Sequence, residues 1–228
     1  EMKMKGKTSE DLLNLPKMED KKMRAVARIL SANAIAAFFS DKNLYALFII
    51  KQVTIALKYG SAYTTASAYT SLALIYSAIL KKYQKGFFYG ELGMKLMQKR
   101  NAKKLEARNA MIFHSIIRPW VDHASKGLGA IIDGHRKGME SGDFEYGLHN
   151  ALEYMLISIY TGKPLIPLFE TGKKLVLSAK QVNQVDPMHV LMVETQFVEN
   201  LVEPCKDYSR LVGTCFNETE QMPRLIDN

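Results

Sequence analysis

Apolar and polar positions along this chain repeat with the period of a helix rather than of a strand. After Phe144, the residues Gly147, Leu148, Ala151, Leu152 and Met155 recur at i, i+3 and i+4, which marks one buried helical face. Helices are expected over 20–39, 41–59, 61–81, 83–99, 102–121, 122–140, 143–161 and 164–181, with a ninth over 187–203. Asp20, Ser61, Ala102 and Asp143 open segments 41 residues apart, and a second segment follows each about twenty residues on. Evenly spaced helix pairs predict an all-α fold, a right-handed solenoid of about four antiparallel helical hairpins plus a C-terminal helix. The expected organisation is an extended lead-in over 1–19, a helical-repeat domain over 20–204, and a tail or linker over 205–228.

Local punctuation agrees with these boundaries. Asp20, Asp41, Ser61 and Asp143 suit N-caps, and Gly60, Gly142 and Gly162 suit the left-handed residue that closes a helix. Pro164 and Pro187 suit first-turn positions, and Pro16 disfavours helix at Leu15. Within 83–99, Gly86, Gly90 and Gly93 form one stripe. Each glycine costs about 1 kcal/mol relative to alanine inside a helix, so another element must pack on the bare backbone. The facing segment offers Ala66, Ala68, Ala73 and Tyr76.

Composition narrows the class. With 47% hydrophobic residues and only 7 Pro, the 228-residue chain can bury a sizeable core. No apolar run reaches the ~18 residues of a membrane span, so no membrane contact is expected. Glu1–Lys7 is charged and lacks the apolar stretch of a secretory signal. Because Glu1 precedes Met2, a segment of a longer protein is expected. Cys205 and Cys215 match neither a disulfide framework nor a zinc ribbon, and read as free thiols of a cytoplasmic protein. The net charge of +8 is uneven: residues 1–110 carry 20 Lys/Arg against 8 Asp/Glu, and the remainder carries 11 against 15.

Catalytic signatures do not emerge. His114-Ser115-Ile116-Ile117-Arg118-Pro119 has the His and Pro spacing of a phosphoacceptor box, but Ser115 stands where an acidic residue is normal. A packed helical histidine is expected there. His123, His135, His149 and His189 show no zinc spacing, and no phosphate loop or nucleophile elbow is present. No catalytic residue, cofactor or metal is therefore assigned. Arg118 and Trp120 flank Pro119 at the end of a helix, as a hairpin anchor or a partner hot spot. Equivalent positions of successive repeats nominate Arg24, Arg28, Thr64, Ser67, Ser71, Arg108, His149 and Glu153 as the lining of a partner groove. Its arginines favour an acidic peptide. Met188, Leu191, Met192, Val193, Phe197 and Leu201 make 187–203 the candidate cap or homodimer helix.

Two resemblances add to this reading. Ala73, Tyr76, Tyr83, Gly86, Gly90 and Gly93 resemble a divergent tetratricopeptide repeat, without its usual Trp and closing Pro. From Leu15 to Gln181 the chain is similar to the helical-repeat region of large sensor kinases. Those carry an N-terminal serine/threonine-kinase-like domain, an AAA-type ATPase module, and GAF and histidine-kinase domains. The matching stretches are Leu15–Asp20, Leu57–Ser61, Ala66–Tyr69, Tyr83–Gly90, Glu140–Asp143 and Thr161–Leu165. What this resemblance implies is a non-catalytic scaffold or relay that contacts neighbouring domains; the family's catalytic residues fall outside the matching stretch. Two other readings stay open: a free-standing adaptor for acidic peptides, and a nucleic-acid-binding repeat. The second lacks any known reader motif.

Overall fold

The computed structural model describes residues 6–204 and 207–226. Among them the chain is all-α, with only two isolated bridges, Lys17 with Ser61 and Val212 with Asn217. It divides into two compact units, Glu1–His123 and Ala124–Asn228. No helix among the described residues is long and apolar enough to cross a membrane.

In the first unit, part of the expected extended lead-in is helical. A capping box between Thr8 and Asp11 starts α1 (Ser9–Leu13), and Leu12 is buried. The segment expected over 20–39 is two helices, α2 (Lys21–Ala32) and α3 (Ala34–Ser40). They part at Asn33, whose side-chain amide donates to the Ile29 carbonyl (2.8 Å) and competes with the backbone ladder. Asp20 and Asp41 cap α2 and α4 (Lys42–Tyr59) as expected, each accepting from the first-turn amides.

Ser61 is not a cap. Gly60, at φ 96°, turns the chain so that Ser61 pairs with the lead-in, and α5 (Thr65–Leu74) starts four residues later. Every residue of α5 from Thr65 to Ala73 is buried, since α4, α6 (Tyr83–Arg100) and the 112–117 segment surround it. α5 runs on into a π-helical turn over Ile75–Ile79. The helix expected over 102–121 is broken into α7 (Glu106–Met111), a π-helical stretch over Ile112–Ile117 and a tight turn over Arg118–Trp120. Pro119 explains the widening, because its ring clashes with the carbonyl four residues earlier.

The second unit holds α8 (Leu128–Ser141), α9 (Phe144–Tyr160), α10 (Leu165–Gln181) and α11 (Val185–Val202). Gly142 closes α8 in the left-handed conformation. Its core joins Leu148, Met155, Leu168, Leu175, Leu191 and Val198. α8 and α9 approach until a Cβ on Gly138 would stand 2.8 Å from the Gly147 nitrogen. The C-terminal segment also packs: Phe216 is buried, and α12 (Glu218–Ile226) follows.

Candidate functional site

The site is built where the lead-in docks. Ser61 N donates to the Pro16 carbonyl (2.7 Å), and Met18 N donates to the Ser61 carbonyl (3.0 Å). A Cβ on Gly60 would meet the Pro16 oxygen at 2.5 Å, so only glycine allows this approach. The end of α6 holds the other side: Lys99 Nζ donates to Asn14 Oδ1 (2.6 Å) and Arg100 to the Leu15 carbonyl (2.8 Å). On α2, Arg24 and Arg28 are four residues apart and share a face. The result is a cavity of about 400 Å³ lined by Lys17, Met18, Arg24, Arg28, Ser61, Ala62, Tyr63, Lys99 and Arg100.

A second cavity of about 450 Å³ shares Arg28 and Tyr63 with the first. Its wall is mainly apolar, from Ala25, Ile29, Ala32, Ile35 and Leu105, with Arg108 beside them. Through Arg28 and Tyr63 the two adjoin as one trough, most charged at the first cavity and mainly aliphatic, with Arg28 and Arg108, at the second. Among the described residues, no Asp or Glu lines either cavity. Lys99 and Arg100 have neutral hydrogen-bond partners, so their charge is not cancelled. Lys17, Arg24 and Arg28 form no ion pair among the described residues. Five cations therefore face one space with a positive potential, and an anion is what that space attracts.

Of the residues nominated from the sequence, Arg24, Arg28 and Arg108 do come together here. Thr64, Ser67 and Ser71 do not line a groove: they are 2%, 4% and 2% exposed. Ser67 accepts from Asn109 Nδ2 (2.9 Å), and Ser71 hydrogen-bonds Tyr45, so their polarity serves the interior. His149 and Glu153 lie on α9 in the other unit, both half-buried. Lys17, Tyr63, Lys99 and Arg100 were missed, because only the long-range docking of the lead-in brings them to α2.

Arg118 and Trp120 pack against aromatic rings of this unit, and Trp120 stays 57% exposed. The Trp120 ring stacks on Tyr83 (4.8 Å, 7°), at the first residue of α6. Arg118 lies over Phe113 (5.3 Å) and Phe87 (5.7 Å) and pairs with Asp122 (3.5 Å). His114 is buried beside them, its titration pulled down to about 4 by burial and by the Arg118 charge. Burial thus favours the neutral imidazole, whose Nδ1 has no hydrogen-bond partner among the described residues.

The second unit has its own polar groups. His135 Nδ1 donates to the Gly147 carbonyl (3.0 Å) across the α8–α9 hairpin. Glu194 on α11 is pushed up to about 8 by burial and by Glu153. Gln196 Oε1 accepts from the amides of Cys215 (3.0 Å) and Phe216 (2.9 Å), and Asn200 donates to the Arg210 carbonyl (2.7 Å). Cys215 is a free thiol; Cys205 lies outside the described residues. Among the described residues, no three His, Cys, Asp or Glu side chains group to hold a metal.

Comparison with known proteins yields no match: no family model fits the chain, and no curated protein or solved structure is similar to it.

Proposed function

We propose that this chain is a non-catalytic helical-repeat module that makes protein–protein contacts, as a scaffold or relay within a multidomain signalling protein. Its hairpins are read as divergent tetratricopeptide-like repeats stacked in short solenoids. Neighbour patterns within each unit support this: α5 packs on α4, α6 and the 112–117 stretch, and α9 on α8, α10 and α11. The setting within an ATPase-containing sensor kinase rests on the sequence resemblance alone.

The observation that carries the reading is the carboxylate-free trough at Arg24, Arg28 and Arg108. Its partner is an acidic protein segment, from a neighbouring domain or a separate chain. Phe39 on α3 and Leu47 and Ile50 on α4, in the same unit, are 82%, 60% and 53% exposed, which favours further protein contact.

Fluorescence anisotropy with a labelled Glu-rich peptide pool tests the reading. The 228-residue chain should bind the pool, lose affinity as salt rises, and lose about tenfold in the Arg24→Gln/Arg28→Gln variant. Absence of binding, or equal binding by the variant, overturns it. Mapping the native protein by intact mass then separates relay from adaptor, since flanking ATPase or GAF sequence belongs only to the relay.

A further inference from the structure

We infer that the trough takes a phosphorylated peptide segment, with its phosphate among Lys17, Arg24, Arg28 and Arg100 and a neighbouring apolar side chain against Ala32 and Ile35. This deepens the proposed protein-contact role and rests on it.

The first argument is charge. One carboxylate brings a single negative charge to a space faced by five cations. A phosphoserine or phosphothreonine brings about −1.5 to −2 and three acceptor oxygens, and Arg clusters are the usual means of reading it. Arg24 and Arg28 stand one helical turn apart on α2, so their forked N–H groups can reach different oxygens of one phosphate. Arg100 is already oriented by its bond to the Leu15 carbonyl (2.8 Å), which lowers the ordering needed on binding.

Layout is the second argument. Five cations gather in one cavity, and the adjoining one is walled mainly by Ala25, Ile29, Ala32, Ile35 and Leu105, with Arg108 and Ser31 beside them and Arg28 and Tyr63 common to both. A free phosphate would leave the apolar half unused. A nucleic-acid strand carries phosphate at every nucleotide and gains little from an aliphatic wall. A peptide with one phosphoresidue beside a Leu or Ile has the same polarity as the trough.

The test uses the intact chain and three fluorescein-labelled degenerate peptide pools, each with a Leu two or three residues from the central position. That position is phosphoserine, Glu or Ser. The phosphoserine pool is expected to bind at least tenfold more tightly than the Glu pool. Arg28→Gln should weaken it about tenfold, and inorganic phosphate should compete only at high concentration. Arg136→Gln, exposed on α8 in the other unit and paired with Asp133 and Glu140, is the folded control and should leave binding unchanged. Equal binding of the phosphoserine and Glu pools overturns this inference while leaving the acidic-segment role standing. A dT20 oligonucleotide that binds more tightly than the phosphoserine pool at the same salt, and loses affinity in Arg28→Gln, overturns it in favour of nucleic acid. Failure of all the probes overturns both.

Discussion

Gly90 and Phe113 share one volume. A Cβ on Gly90 would stand 2.6 Å from Cε2 of Phe113. The ring is 2% exposed, tilted against Phe87 at 5.4 Å and covered by Arg118 at 5.3 Å, so it has nowhere to retreat. The same glycine stripe meets a different element above and below. Cβ atoms on Gly86 and Gly93 would stand 3.0 and 2.9 Å from the Ala73 and Ala66 carbonyl oxygens of α5. One face of α6 thus seats both α5 and the 112–117 stretch.

Gly90→Ala is therefore expected to lower stability by about 1–3 kcal/mol, the range for overpacking a filled core. The roughly 1 kcal/mol of helix propensity gained offsets only part of the strain. Gly129→Ala, with nothing within 4 Å of the added carbon, should leave stability unchanged or raise it by up to about 1 kcal/mol. Urea midpoints of the two variants decide: equal shifts would mean the stripe is not packed as described.

That stripe was legible in the sequence because three glycines in a helix demand a close neighbour. Other features were not, for physical reasons. Asn33 reads as an ordinary helix residue until its side chain is seen bonding back to Ile29. Ser67 and Ser71 look like a solvated face, yet Asn109 and Tyr45 satisfy them inside the core. Half of the trough depends on contacts such as Asn14 with Lys99, 85 residues apart, and helical periodicity carries no information about those. The tail lacks periodicity because buried Gln196 and Asn200, rather than an apolar stripe, hold its loop.

His114 makes the first unit acid-sensitive. Its folded pKa of about 4 lies below the ordinary 6.5, so between those values the unfolded chain binds more protons. The stability it supports is present above pH 6.5 and is lost as pH falls through about 4. His114→Leu removes that slope. Wild type minus variant stability should decline by about 1–3 kcal/mol from pH 7 to pH 4, at 1.36 kcal/mol per unit. A difference independent of pH would show that the imidazole is not held neutral.

Gln196→Ala should free the C-terminal loop. Its carboxamide oxygen takes two backbone amides at once, from Cys215 and Phe216, and the side chain is 1% exposed. Loss of these bonds is expected to cost about 1–3 kcal/mol locally. Hydrogen exchange at the amides of 215 and 216 should then rise while that of α8 stays unchanged. In a Cys205→Ser background, Cys215 should also react faster with a thiol reagent, since burial now holds its thiol above the usual range. Unchanged exchange at both amides would show that the loop is held by other contacts.

Glu194 gives the second unit the opposite pH dependence. Its Oε2 is buried without a hydrogen-bond partner, and burial first, then Glu153, raises its pKa to about 8. Glu153 is itself raised by burial, so the two carboxyls of α9 and α11 resist ionising together. The folded chain keeps Glu194 protonated where the unfolded chain, with an ordinary value of 4.5, has released the proton. Stability from this group is complete below pH 4.5 and is lost as pH rises through about 8. Glu194→Gln holds a neutral, isosteric amide there at every pH. It should match wild type at pH 4.5 and exceed it by about 1–3 kcal/mol at pH 8.5, read from urea unfolding at both values. Glu153→Gln should give a smaller gain at pH 8.5, because it removes the lesser cause and leaves Glu194 buried. An equal advantage for Glu194→Gln at the two pH values would place the effect in packing and refute the ionisation account.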